Sequence, residues 1–154
     1  MKTIPITLLI ASALLLAACG KRDIPGCTDP AALNHDPEAT IEDGSCAYLS
    51  GLYSGNWIAY DTTFSYNPQT GDTTVEALSY GFAIAAIGKD RVRISGWIDP
   101  DCWAMEAAVS RTLLVPESGT CDFSNFTCTH SGGRLRYRVE RDIADFRGTA
   151  IRQE

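Results

Sequence analysis

What the chain has little of narrows it first. Only two histidines, His35 and His130, occur in 154 residues, and neither stands in a Ser-His-Asp or zinc-ligand spacing. No nucleophile–base pair can be assigned, so a hydrolase is the least supported class and the chain reads as non-enzymatic. No stretch keeps a 3.6-residue apolar period, which argues against a helical bundle. The longest apolar run, residues 4–18, is interrupted by Pro5, Thr7 and Ser12. At 1.5 Å per residue it reaches roughly 22 Å, short of a hydrocarbon core of about 30 Å. Charge of one sign is also missing where nucleic acid would need it. The formal net charge is −6, and no domain is net basic, so nucleic acid is not an expected partner.

What is present begins with an export signal. Lys2 precedes the short apolar run, a pattern that suits a cleaved secretory signal over residues 1–18 better than a membrane span. Leu16-Ala17-Ala18-Cys19 resembles the lipobox of bacterial lipoproteins. That resemblance implies cleavage behind Ala18, lipidation of Cys19, and a lipidated linker over residues 19–25 that ties the protein to a membrane. Each buried acyl CH₂ contributes about 0.8 kcal/mol, so several chains on one cysteine anchor stably. Gly20 follows Cys19 where, by analogy with enterobacterial sorting, an Asp would favour inner-membrane retention. The acidic cluster that resembles a surface-export signal in some Bacteroidetes lipoproteins is absent too. The outer membrane is the expected location, with its periplasmic and surface faces both open.

Residues 26–48 form the second unit, GCTDPAALNHDPEATIEDGSCAY. Two cysteines bracket five acids, Asp29, Asp36, Glu38, Glu42 and Asp43, while Leu33 and Ile41 are the only large aliphatics between them. Asp29-Pro30, Asp36-Pro37 and Asp43-Gly44 are turn signals. Such a segment has no core of its own, and a Cys27–Cys46 disulfide closing it would contribute on the order of 3 kcal/mol. Six cysteines in an exported chain then read as one lipid site plus disulfides. Cys102, Cys121 and Cys128 remain as an odd set, with Cys102 paired to Cys121 or to Cys128 slightly favoured over Cys121–Cys128.

The 26–48 pattern resembles a short repeat of secreted Bacteroidetes proteins that is distantly similar to thrombospondin type 3 repeats. Glu42-Asp43 stands where the repeat often has two aspartates, and His35 where an aromatic is usual. The resemblance implies calcium as the candidate cofactor. Calcium takes six to eight oxygens, which Asp29, Asn34, Asp36, Glu38, Asp43 and backbone carbonyls are numerous enough to offer. The alternative is a disulfide-stapled spacer with solvated acids. No Asp-x-Asp/Asn-x-Asp/Asn-Gly run occurs, so an EF-hand is excluded.

Beyond Tyr48 the apolar period becomes two. Residues 52–60 alternate, 68–72 make a turn, and 73–87 resume as an extended run; 88–90 form a tight turn into a strand over 91–98. In that strand Val92, Ile94, Gly96 and Ile98 face one way, while Arg91, Arg93, Ser95 and Trp97 face the other. Residues 134–140 repeat the pattern, with Leu135, Tyr137 and Val139 inward and Arg134, Arg136 and Arg138 outward. Phe146, Gly148 and Ala150 mark a last strand, and 107–110, 112–115 and 121–129 are short strand candidates. Residues 51–154 are therefore expected to be mainly β. The pattern predicts an antiparallel meander or up-and-down barrel of about seven to nine strands, closure removing the exposed edges. Tyr53-Ser54-Gly55-x-Trp57, Ile94-Ser95-Gly96, Gly132-Gly133 and Gly148-Thr149-Ala150 are similar to features of lipocalin-like β domains in Bacteroidetes lipoproteins.

The expected function follows from that organisation. It is a cell-envelope lipoprotein whose β domain binds a small apolar or amphipathic ligand, or an envelope partner protein. The rival expectation is an accessory subunit with a filled β scaffold. Trp97, outward beside the arginines, and Trp103 in a loop are the candidate ligand-stacking residues. The arginine faces are a candidate basic stripe, and Asp61-Thr62-Thr63 and Asp72-Thr73-Thr74 resemble a short O-glycosylation sequence.

Overall fold

In a computed structural model the described residues are 22–97, 104–119, 125–140 and 144–154. Two short strands, β1 (Pro25–Gly26) and β2 (Ile41–Glu42), pair in parallel inside the N-terminal module. The Cys27–Cys46 disulfide closes that module as expected, with Cα atoms 4.8 Å apart. A five-residue helix, α1 (Leu49–Tyr53), leads into the β domain.

Eight antiparallel strands follow: β3 (Gly55–Tyr66), β4 (Thr73–Ala86), β5 (Arg91–Ser95), β6 (Ala104–Val109), β7 (Leu114–Gly119), β8 (Asn125–Ser131), β9 (Arg134–Glu140) and β10 (Ala144–Arg152). Every strand lies beside its sequence neighbour, and β10 returns to pair with β3, so the sheet order is β7-β6-β5-β4-β3-β10-β9-β8. Between β7 and β8 the seam is held by a single bridge, Leu113 with Thr129, and by the His130 N–H donating to Thr112 O at 2.8 Å. The domain is an up-and-down sheet closed into a nearly complete barrel. Closure leaves few unpaired edges, the outcome the strand count favoured.

The inner face is filled by large side chains. Trp57, Ile94, Met105, Leu135, Val92 and Val139 are almost wholly buried, and Phe82, Tyr137 and Trp97 pack among them. Each such side chain contributes roughly 1.5–3 kcal/mol by leaving water. The helix plugs one end, called proximal here. Tyr53 is fully buried, and its hydroxyl lies 3.0 Å from both Ser110 O and Leu113 O, donating between them across the β6–β7 turn. The Trp57 Nε1–H donates to Tyr53 O at 2.8 Å, and the Ser50 N–H to Lys89 O at 3.0 Å.

Two local expectations are corrected. Residues 52–53 belong to α1 rather than to a strand, and β3 begins only at Gly55. Period-two alternation cannot mark a helix of barely one turn, because Leu52 and Tyr53 are also apolar in a helical phase. Trp97 is not outward but 6% exposed in the core, 4.9 Å from the Phe82 ring and 4.8 Å from the Tyr137 ring. The cause is Gly96, whose φ of +79° breaks the strand after Ser95 and turns the next side chain inward.

The module docks on the proximal end. Lys89, in the β4–β5 turn, forms a 2.5 Å ion pair with Asp29 and lies 5.5 Å from the centre of the Tyr48 ring. The Tyr48 hydroxyl donates to Asp29 Oδ2 at 2.7 Å, so one carboxylate ties module and barrel together.

Candidate functional site at the distal end of the barrel

Along β3 the inward positions run Trp57, Ala59, Asp61, Thr63, so the lining changes from apolar to polar away from α1. Asp61 is 3% exposed. Its register partners are Gly148 on β10 and Leu78 on β4, and Gly148 in turn opposes Tyr137 on β9. The Tyr80 hydroxyl donates to Asp61 Oδ2 at 2.7 Å, and the Tyr137 hydroxyl donates a short hydrogen bond to Oδ1. Two phenols from β4 and β9 therefore converge on a carboxylate from β3.

Glycine at 148 makes this convergence possible. A Cβ there would overlap Asp61 Oδ1 and stand 2.6 Å from Tyr137 Cε2. Burial raises the Asp61 pKa above the ordinary carboxylate value, against the opposing pull of the Tyr137 and Tyr80 hydrogen bonds. Burial, reinforced by neighbouring Tyr80 and Asp61, pushes the Tyr137 phenol well above its usual range. Tyr137 thus stays a neutral donor across the physiological range.

One row further out, Thr63 opposes Phe146 on β10, and Phe146 opposes Val139, which opposes Phe126 on β8. Thr63 is 8% exposed, and its hydroxyl has no hydrogen-bond partner among the described residues. A buried polar atom left without a partner costs about 1–3 kcal/mol. In the same half of the barrel the Trp97 ring is the centre of an aromatic group, 6.2 Å from Phe126, 4.9 Å from Phe82 and 4.8 Å from Tyr137. Among the described residues, His130 Nε2 is the other buried side-chain polar atom without a partner. It sits at the proximal end, its ring 4.7 Å from that of Tyr53.

The residues singled out from the sequence separate clearly. Trp97 does reach the distal aromatic group, although from inside; Trp103, Cys19, Cys102 and Cys121 lie outside the described residues. Cys128 is a free thiol inside the barrel, so the pairing of Cys102 with Cys128 and that of Cys121 with Cys128 are both corrected. Its inward position opposite Tyr137 on β9 holds the thiol in an apolar interior, where burial pushes its pKa to about 12.

The five calcium candidates are not gathered into one site. Asp29 Oδ1 accepts from the Ala31 N–H, Asp36 Oδ1 from the Glu38 N–H and Asp43 Oδ1 from the Ser45 N–H, at 2.9–3.0 Å. The Asn34 side chain bonds Ser45 O and the Ala47 N–H at 2.7 Å each, and Glu38 is exposed. These are turn-capping roles, each carboxylate serving the backbone two residues on. Glu42 does the same from both oxygens, accepting from Thr28 and from the Gly44 N–H. Among the described residues the one group of three potential metal ligands is Cys27, Glu42 and Cys46, and its two sulfurs are joined to each other.

Asp61 is the residue the sequence pattern could have supplied. Alternation extended one step past Ala59 places a carboxylate on the core face, a rare event that marks a polar network. Its motif Asp61-Thr62-Thr63 lies in the middle of β3, with Thr63 turned into the barrel. Comparison of the chain with protein-family models, with curated proteins and with solved structures finds no match.

Proposed function

We propose that this is a non-enzymatic, Bacteroidetes-type lipoprotein of the outer membrane, anchored through Cys19, whose barrel binds a small amphipathic ligand at its distal end. The N-terminal residues up to Cys19 support the anchor and the location. The binding reading rests on one observation above the others. The buried Thr63 hydroxyl has no partner among the described residues and lies on the inward face of β3, one inward position beyond the Asp61 carboxylate. A ligand hydroxyl or amine would complete Thr63, and its apolar part would lie against Phe126 and Phe146. Because Trp57, Phe82, Trp97 and Tyr137 fill the deeper layers, the ligand is small and held at the mouth rather than enclosed.

A second reading has its own support. Tyr66 and Val75 are exposed large apolar residues on the outward face of the long β3–β4 hairpin, and every residue of 73–79 is exposed. That surface suits an envelope protein partner, with the filled barrel as its scaffold. Native mass spectrometry of the protein taken from its own membranes separates the two. A co-purifying small molecule that is lost in Thr63→Val supports the ligand reading. A bare chain carrying a stoichiometric protein instead overturns it in favour of the accessory reading.

A further inference from the structure

Strands β5 and β9 carry five outward arginines, and their fates differ. On β5, Arg91 pairs with Glu117 at 2.6 Å and with Glu106 at 3.6 Å, and Arg93 pairs with Glu106 at 2.6 Å. On β9, Arg138 pairs with Glu140 at 2.8 Å and Asp145 at 3.2 Å. Arg134 and Arg136 are exposed and have no carboxylate within ion-pair reach among the described residues. Two adjacent uncompensated guanidiniums in a chain of net charge −6 are a local reversal of the protein's field.

Their surroundings are built of donors. Ser131 on β8 lies opposite Arg134, and Thr129 lies opposite Arg136, so two hydroxyls and two guanidiniums form a square on one face of the hairpin. The tight β8–β9 turn has Gly132 at φ +55° and Gly133 at +69°, and no heavy atom would meet a Cβ at either. Thr129, Ser131, Gly132, Arg134 and Arg136 line an open groove of about 390 Å³. Alternate residues of a strand stand roughly 7 Å apart, a span that one tetrahedral oxyanion bridges. Arginine's planar fork matches phosphate oxygens, and the Ser131 hydroxyl supplies a further donor.

We infer that Arg134, Arg136, Thr129 and Ser131 form a binding groove for a phosphate group, separate from the distal site inside the barrel. Phosphate rather than carboxylate fits the two guanidiniums and the Ser131 hydroxyl, because it presents three or more acceptor oxygens at once; the Thr129 hydroxyl, which donates to Arg136 O at 3.4 Å, lines the groove beside them. The group has two sources, free phosphate or the phosphorylated headgroup of a lipid. The groove lies at the proximal end, the end on which the N-terminal module docks.

The mature protein in neutral detergent, labelled with ¹⁵N, is titrated at constant ionic strength with inorganic phosphate and, separately, with a short-chain phosphatidic acid. Saturable shifts confined to β8, β9 and their turn are expected, with a Kd of about 1 mM. The double variant Arg134→Gln/Arg136→Gln should weaken binding at least tenfold, whereas Arg138→Gln, already neutralised by Glu140 and Asp145, should change it less than twofold. Binding of phosphate alone assigns the free anion, and binding of both assigns the group on a lipid; either supports the groove. Absence of saturable shifts with both probes, or equal loss in Arg138→Gln, overturns it. Unchanged spectra away from the hairpin verify that the variants are folded.

Discussion

The module and the barrel solve the same problem with different means. In the module, polar side chains hold the backbone: Asp29, Asp36, Glu42 and Asp43 each accept from a nearby N–H, and one disulfide closes the loop. In the barrel, polar groups are scarce inside and apolar burial does the holding, with Asp61 the exception that three strands combine to satisfy. The contrast shows how chain economy sets the device. About twenty residues with two large aliphatics cannot form a core, whereas eight strands enclose one.

The largest break should come from the barrel interior. Trp57→Ala removes a wholly buried ring that also bonds Tyr53 O, and should cost about 4 kcal/mol in urea unfolding of the β domain. Next, Cys27→Ser with Cys46→Ser should withdraw roughly 3 kcal/mol from the module. Amide exchange should rise through residues 26–48 while the barrel's urea midpoint stays in place. A matching fall of both would show that the two regions unfold as one.

Gly148→Ala sharpens the exception. The added methyl cannot coexist with the Asp61–Tyr137 bond, so a loss of about 2–3 kcal/mol and displaced Tyr137 ring resonances are expected. Wild-type stability in that variant would show that the bond is dispensable.

The two regions should also respond to acid in opposite directions. Asp29 is held down to about 2, chiefly by its hydrogen bond from Lys89, and Glu42 and Asp43 are lowered by theirs. Their contribution is present above the ordinary carboxylate values and is lost as pH falls through the lowered ones. The Asp61 pKa is raised, so the folded barrel binds more protons than the unfolded chain above pH 3.8. Its contribution therefore declines as pH rises through the raised value. Acidification should loosen the Asp29–Lys89–Tyr48 contact, seen in NMR shifts of residues 26–48, without the same loss in the barrel. Asp61→Asn should remove that part of the barrel's pH slope; an unchanged slope would assign it elsewhere. The smallest effect is expected from Lys89→Ala, which should speed amide exchange in the module and leave the barrel's midpoint unmoved, since the Lys89 side chain is 55% exposed.

How much of this was legible in the sequence varies with the range of the cause. Alternation in 91–95 and 134–140 located β5 and β9 with their inward residues correct, because burial on one face imposes a period of two. The Cys27–Cys46 pair was legible from two cysteines bracketing a segment with no core of its own. Trp97 was misplaced because one left-handed glycine inverts the face of whatever follows, and Cys128 because composition cannot say which thiols meet. The acids of the module suggested ligands by number, yet short-range hydrogen bonds decide where carboxylates point.

The amino-acid sequence alone determined the division into an acidic cysteine-closed segment and a β-rich domain, since both follow from composition and local period. Tertiary structure alone decided that β10 closes on β3. Only that closure, which brings together residues 76 apart in the chain, sets Tyr137 against Asp61 and leaves room between them for nothing larger than Gly148. The same closure turns the Thr63 hydroxyl inward, buried and without a partner among the described residues, because pairing across a closed sheet fixes which polar groups face inward whether or not they are satisfied.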